Sequence, residues 1–215
     1  MIASESIGVL DLQGGVSEHL EHLARLGVPA RAVKHARDFA GLAGLIIPGG
    51  ESSCLSRLLR IFELDTVIRA AHAAGTRLWG TCAGAILLAN EVAGEEPHLA
   101  LLDVGVERNA FGSQLASFNT VVSVPTVSGK PIPLTFIRAP KIHRVGAGVQ
   151  VLLEVGDYVA AVESETVLAT VFHPELTPST AFHAYFARKC GLHPQDPTEP
   201  EGWKQTSWTQ FSAIP

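Results

Sequence analysis

The chain has 215 residues, 47% hydrophobic and 17% charged, with a formal charge of -5. That is enough apolar material for one sizeable core, and the acidic balance excludes a phosphate-backbone reader, which needs a basic surface. No run approaches the ~18 to 20 apolar residues that cross a bilayer, and "MIASESIGVLDLQGG" lacks the basic segment of a secretory leader.

In chain order, strand-length apolar runs first alternate with helical patterns. "IGVLDL" (7–12) reads as a strand, "VSEHLEHLARLG" as an amphipathic helix, "ARAV" as a strand and "GLIIPGG" as a buried strand entering a glycine turn. "CLSRLLRIFELDTVIRAAHAAG" continues as a helical stretch, "RLWG" as a strand and "AGAILLANEVAG" as a helix. In "LQGGVSEH" the residues suggest a tight turn before the first helix, with His19 and His22 on its solvated face and not a metal pair. Consecutive βα units of this kind predict a mostly parallel sheet covered on both faces.

Beyond residue 100 the pattern changes. "DVGVERN", "LASFNTVVSVP", "PLTFIRAP" and "VQVLLEVGDYVAAVESETVLATVFHP" carry β-branched residues between turn signals and predict strands, partly antiparallel. A last helix, "PSTAFHAYFARKCG", stops at Gly191. The expected fold is α/β: a single three-layer domain over 1–191, with a mostly parallel central sheet, flanking helices and an antiparallel extension. Residues 192–215 are rich in Pro, Gln, Thr and Ser and predict an arm. Its Trp203, Trp208 and Phe211 would be costly if all were solvated, so the arm is expected to lie against the domain or a neighbouring subunit.

Three cysteines, Cys54, Cys82 and Cys190, are an odd number in a mid-sized chain. They fit free thiols in a reducing cytosol better than a disulfide framework. Cys82 stands apart from the other two. Gly80-Thr81-Cys82-Ala83-Gly84 has the spacing of a nucleophile elbow, in which small flanking residues let a strand and a helix approach closely while the nucleophile is exposed at the bend. Roughly 0.03 chance occurrences of that spacing are expected from three cysteines and 20 glycines in this length. A helix beginning at Cys82 would favour its thiolate, and the N–H of Ala83 would face a developing oxyanion. The competing reading is a buried structural thiol.

A thiol nucleophile needs a base and a group to orient that base. "ATVFHPELT" offers both: Pro174 forces His173 into an extended conformation, where residues two apart share a face, so Glu175 is expected beside His173. Taken alone, His-x-Glu also fits an exposed polar turn. "LIIPGGESS" brings Gly49, Gly50, Glu51 and Ser52 to a strand's end, where glycine N–H groups suit an oxyanion or carboxylate, although an ordinary βα turn before an N-capped helix reads the same way.

"PGGES", "GTCAG" and "HPE" in this order resemble the class I glutamine amidotransferase domain, which has a flavodoxin-like sheet. "GVLDLQGGVSEHL", "LIIPGGESS", "GTCAGAILLA", "VERNAFGSQLASF", "FIRAPKI" and "FHPELT" together are similar to the glutaminase subunits of pyridoxal 5'-phosphate synthase, over about residues 6 to 190. The resemblance implies that Cys82 attacks the side-chain amide of L-glutamine, that His173 shuttles the proton and that Glu175 orients His173, with a γ-glutamyl thioester on the way to glutamate and ammonia. It implies Gly50, Glu51, Ser52, Arg108, Ile137 and Arg138 as glutamine contacts, and Gly50 with Ala83 at the oxyanion. For the two arginines, structural surface salt bridges are the competing reading.

No cofactor and no metal are implied, nor a nucleic acid or a membrane. The implied partner is a separate (β/α)8-barrel synthase subunit in an assembly of twelve of each, faced by "LQGGVSEH", with ammonia passed to it in the cytoplasm. Asp11, Gly15, Ser53 and Asn119 depart from the family pattern and are expected to stand clear of the triad. Two other functions compete. A glutaminase serving histidine, tryptophan or nucleotide synthesis would carry other segments in place of "ERNAFG" and "FIRAP". A non-catalytic module on the same fold would have lost a triad member.

Overall fold

The structure is a computed structural model that describes residues 5–108, 117–156 and 158–197. Its elements in order are β1 (Ser6–Leu10), α1 (Val16–Arg25), β2 (Ala30–Val33), β3 (Leu42–Ile47), α2 (Ser52–Ile61), α3 (Leu64–Ala73), β4 (Arg77–Thr81), α4 (Ala83–Leu88), β5 (Ala89–Val92), β6 (Leu102–Glu107), β7 (Ser117–Val122), β8 (Ile132–Ile137), β9 (Lys141–Val145), β10 (Gln150–Val155), β11 (Tyr158–Glu163), β12 (Val167–Thr170) and α5 (Ala181–Lys189). Short 3-10 turns occupy Ala36–Phe39 and Pro174–Leu176.

A sheet of ten strands runs β2-β1-β3-β4-β12-β11-β9-β6-β5, with β10 paired to β11, and β7-β8 form a separate hairpin. From β2 to β12 every pairing is parallel, whereas the pairings of β11 with β12, β9 and β10, and of β6 with β9, are antiparallel. Burial follows pairing. Every residue of β1 and β12 is buried, as a parallel strand covered on both faces requires, while β10 is mostly exposed or half-buried. The core between sheet and helices is aromatic, with Trp79, Phe172, Phe182 and Phe186 fully buried.

The chain moves from β1 to β2 on one side and then returns to place β3 on the other. This reversal puts α1 and the α2–α3 pair on opposite faces of the sheet and opens a crevice at the carboxyl ends of β1 and β3. The loops there touch: a Cβ on Gly14, whose φ is +102, would lie 1.9 Å from the carbonyl oxygen of Gly49.

The structure differs from the sequence expectation in several places. The single helical stretch from Cys54 to Gly75 is two helices, broken at Glu63, which adopts a left-handed φ of 55°. The pattern "AGAILLANEVAG" stays helical for only six residues. It then becomes β5, which pairs with β6, because a fully buried apolar run carries no periodicity to separate helix from strand. His19 and His22 are fully buried, not solvated, because α1 packs this side against α5. Gly15 touches the triad after all: a Cβ there would stand 3.0 Å from Glu175 Cγ. The helix stop at Gly191 occurs as expected, with φ of +79 and the N–H of Leu192 donating to Ala187 O at 2.9 Å. The start of the arm rests on the α1–β2 turn through the N–H of Gln195, which donates to Leu26 O at 2.8 Å. Trp203, Trp208 and Phe211 lie outside the described residues.

Candidate active site

Cys82 sits between β4 and α4 with φ 48° and ψ -106°, a backbone conformation that costs a non-glycine residue and persists only when its surroundings hold it. Its N–H donates to Thr170 O of β12 at 2.8 Å, and its own carbonyl accepts from the N–H of Ala85 at 3.1 Å. The flanking glycines meet backbone on both sides. A Cβ on Gly80 would be 2.4 Å from the carbonyl carbon of Gly84, and one on Gly84 would be 2.0 Å from Ile47 O. The steric reason for the Gly-x-Cys-x-Gly spacing is therefore present in the structure. Because α4 has only six residues, the backbone dipole behind the thiol is short, and His173 is the stronger nearby source of positive charge.

His173 follows β12, and its N–H donates to Thr135 O of β8 at 2.8 Å. Its Nδ1 lies 2.8 Å from Oε1 of Glu175. The pair does not meet across an extended strand, as expected from the sequence. Pro174 starts a 3-10 turn, and the tight turn brings Glu175 back under the imidazole. Cys82 lies close to the same ring, since a Cβ on Gly49 would be 2.5 Å from His173 Cε1 and 3.3 Å from Cys82 Cβ. Burial alone would lower His173, but the charges of Cys82 and Glu175 and hydrogen bonds to both outweigh it, holding the imidazole well above its usual range. Glu175 is buried as well, which alone would raise it, yet the charge of His173 and its hydrogen bond hold it down at about 2. Cys82, His173 and Glu175 thus cluster, with the carboxylate ionised and the imidazole fixed through Nδ1.

A cavity of 630 Å³ opens beside this cluster, within the range of small-molecule sites. Cys82, His173, Glu175, Ala83, Gly50, Glu51, Ser52, Arg108, Ile137 and Arg138 all line it, so the structure brings every sequence-designated residue to one place. The Cys82 Sγ is 4.0 Å from Ile137 O. Gly50 has φ +149, which favours glycine, and the N–H of the next residue, Glu51, donates to Gln13 Oε1 at 3.1 Å.

Glu51 also caps α2, accepting from the N–H groups of Ser53 at 3.3 Å and Cys54 at 2.7 Å. The N-capped-helix reading of "GGESS" is thus realised at a residue that lines the cavity. The Ser52 hydroxyl is buried with no hydrogen-bond partner among the described residues. Arg108 is held in a salt-bridge network, with Nη2 2.9 Å from Glu51 Oε1 and Nη1 3.1 Å from Glu95 Oε1. Arg138 is exposed, with φ 44°, and makes no hydrogen bond or ion pair among the described residues.

Sequence reasoning gave Gln13 and Gly15 no place in this cavity, and expected of Gly49 only a backbone N–H at a strand's end. Gly49 is the tightest position of its loop, since a Cβ there would be 2.5 Å from His173 Cε1 and 3.3 Å from Cys82 Cβ. Gln13 and Gly15 come from the first βα turn and line the same cavity. The doublets "PGG" and "QGG" were visible, but which glycine of each faces the triad depends on how the two loops meet.

The chain matches the family model described as the SNO glutamine amidotransferase family over residues 9–192. It is 56% identical over 211 residues to a protein of Syntrophus aciditrophicus named pyridoxal 5'-phosphate synthase subunit PdxT, covering 96% of this chain and 94% of that protein. A protein of the same name from Deinococcus radiodurans is 47% identical over 192 residues, covering 86% of this chain and 97% of the relative. A crystal structure described as a glutamine amidotransferase superposes with a TM-score of 0.81 at 43% identity, covering 86% of this chain and 99% of the other. Similarity of this extent, together with a cysteine elbow, an imidazole and a carboxylate around one cavity, means that the chain belongs to the SNO glutamine amidotransferase family.

Proposed function

We propose that the chain is the glutaminase subunit of a pyridoxal 5'-phosphate synthase, hydrolysing L-glutamine to L-glutamate and ammonia. The observation that carries this reading is the Cys82–His173–Glu175 cluster, with Nδ1 of His173 2.8 Å from Glu175 Oε1, opening on a cavity of amino-acid size.

His173 already carries the proton of Cys82, as an imidazole held well above its usual range implies, and the thiolate attacks the side-chain amide carbon. The carbonyl π electrons move to oxygen, where the N–H groups of Gly50 and Ala83 receive the oxyanion. Collapse breaks the C–N bond as His173 returns the proton to the leaving ammonia, leaving a γ-glutamyl thioester. His173 then deprotonates water, which attacks the thioester, and the thiolate leaves while His173 keeps the proton. Glu175 keeps the imidazole in the tautomer that presents Nε2 to sulfur.

Glutamine carries an ammonium and a carboxylate at its far end, and the rim carries both complements: Glu51, and the guanidinium groups of Arg108 and Arg138. Ser52, whose buried hydroxyl has no partner among the described residues, and the backbone at Ile137 complete the contacts. Ammonia passes to a separate (β/α)8-barrel synthase subunit in an assembly of twelve of each; the name pyridoxal 5'-phosphate synthase subunit, shared by the relatives, supports a role as one subunit of such an enzyme. Residues 1–191 form the catalytic domain and 192–215 an arm outside it. The free thiols Cys54, Cys82 and Cys190 support a cytoplasmic setting, and among the described residues no helix is long and apolar enough to cross a membrane.

The test is glutamate release by the complex with the barrel subunit, comparing the native chain with Cys82→Ala. Loss of more than about a thousandfold, with the fold and docking retained, is the expected result. Glutamate release at the native rate from the variant complex would refute the assignment.

A further inference from the structure

Behind the triad, on the side away from the cavity, lie three fully buried histidines: His19 and His22 of α1 and His183 of α5. His19 Nδ1 is 2.8 Å from His183 Nε2, and the rings of both stand edge-on to Trp79. The nitrogens do not converge on a cation, since no three His, Cys, Asp or Glu donors among the described residues are placed to share one. What the cluster does face is Glu175: His19 Nε2 is 3.6 Å from Glu175 Oε2.

Those two atoms are both buried, and neither has a hydrogen-bond partner among the described residues. An ionised carboxylate that is 1% exposed needs both oxygens stabilised, and His173 serves only Oε1. Burial lowers His19, lowers His22 to about 3 and lowers His183 well below the usual imidazole range, so all three rings are neutral at pH 7. A neutral His19 has one N–H. If it sat on Nδ1, facing His183, the bare Nε2 lone pair would be turned toward a carboxylate oxygen. If His183 instead donates from Nε2 to His19 Nδ1, the His19 proton lies on Nε2 and points at Glu175 Oε2. The charge on Glu175 favours the second arrangement.

We propose that His19 is a positioning residue for glutamine hydrolysis: as the Nε2–H tautomer imposed by His183, it is aimed at the free oxygen of Glu175 and fixes the carboxylate that orients His173. No proton moves to or from His19 in turnover, because its role is to hold a dipole in place. The first turn of α1 thereby grips Glu175 from two directions, with Gly15 packed against its Cγ and His19 facing its outer oxygen. The proposal rests on the glutaminase reading above.

The experiment uses the complex with the barrel subunit and two substitutions of His19. His19→Leu removes the donor, whereas His19→Gln places an amide N–H near the Nε2 position. In His19→Leu, kcat for glutamate release is expected to fall about ten- to a hundredfold, a part of the roughly 10²- to 10⁴-fold that acid–base catalysis contributes. KM for glutamine should stay within about twofold, and the pH profile of Cys82 alkylation by iodoacetamide should shift to higher pH. His19→Gln should recover most of the lost kcat, which a purely structural role does not predict.

Nitrogen NMR of histidine-labelled native protein gives a readout independent of any variant's folding: the proposal requires the His19 proton on Nε2. Finding it on Nδ1, or finding native kcat and a native alkylation profile in a folded His19→Leu, would overturn the proposal alone. Absence of glutamate release by the native complex would instead overturn the glutaminase reading on which it rests.

Discussion

On the parallel side of the sheet, Cys82 and His173 are held by backbone. Gly80, Gly84 and Gly49 sit where a single added carbon would fall between 2.0 and 2.5 Å from a neighbouring atom, and the N–H groups of Cys82 and His173 each close a bond of 2.8 Å to another strand. On the other side, Arg108 and Arg138 reach the same cavity from the ends of β6 and β8, and nothing comparable holds them. Arg108 is a quarter exposed and shares Glu51 and Glu95, and Arg138 makes no ion pair among the described residues. Partly exposed ion pairs of this kind contribute about 0 to 1 kcal/mol and exchange readily. On the proposed reading, Cys82 and His173 are placed before substrate arrives, whereas Arg108 and Arg138 are free to trade an internal carboxylate for that of a ligand.

The sharpest way to break this comparison is to remove chemistry while leaving recognition. His173→Asn should lose roughly 10²- to 10⁴-fold in turnover, since it deletes the shuttle. The variant complex should still bind glutamine through the unaltered rim. Calorimetry on that complex checks the second half, and an absence of glutamine binding would mean that recognition and chemistry are not separate.

Arg108→Ala and Arg138→Ala should act the other way, raising KM by about ten- to a hundredfold with a smaller change in kcat, the signature of lost ground-state binding. Arg108→Ala should be the milder of the two, because removing it also releases Glu51 from an existing partner. Steady-state kinetics on the assembled complex separates the terms, and a pure kcat effect at either arginine would place it with the triad instead.

The smallest expected effect is on stability and sharpens the steric half of the comparison. Gly84→Ala drives a methyl group against Ile47 O and should cost about 1 to 3 kcal/mol, read as a lower melting temperature. Gly129→Ala, where an added Cβ meets nothing within 4 Å, should change little. Equal melting of the two variants would show that the elbow can relax and that its glycines are not required by packing.

The grouping of Cys82, His173 and Glu175 was legible because each lies in a short local signal at a strand's end: a glycine-flanked cysteine, and a histidine followed by proline and glutamate. The parallel half of the fold was legible for a related reason, since its strands are continuous apolar runs and its helices are amphipathic. Features that depend on which surfaces meet were not. His19 and His22, three apart on a helix with charged neighbours, look like solvated residues until α5 closes over them. "ANEV" follows an apolar run without a turn signal between them, and only pairing with β6 makes it a strand. The break at Glu63 carries neither glycine nor proline, so no local signal marks it. Gly15, a departure from the family pattern, was read as remote from the triad because the sequence does not say that the first βα turn packs on Glu175.

The central claim is that Cys82 is the nucleophile for the side-chain amide of glutamine, and the site of covalent labelling by a glutamine analogue with an electrophilic group in place of the side-chain amide tests it most directly. Accessibility alone favours Cys54, which is exposed, while Cys190 is buried with its thiol pushed up to about 12. Peptide mapping of the labelled complex should place the adduct on Cys82, with protection by glutamine, and leave Cys54 unmodified at the same reagent concentration. An adduct on Cys54 with Cys82 intact would contradict the account and move the nucleophile to the first turn of α2.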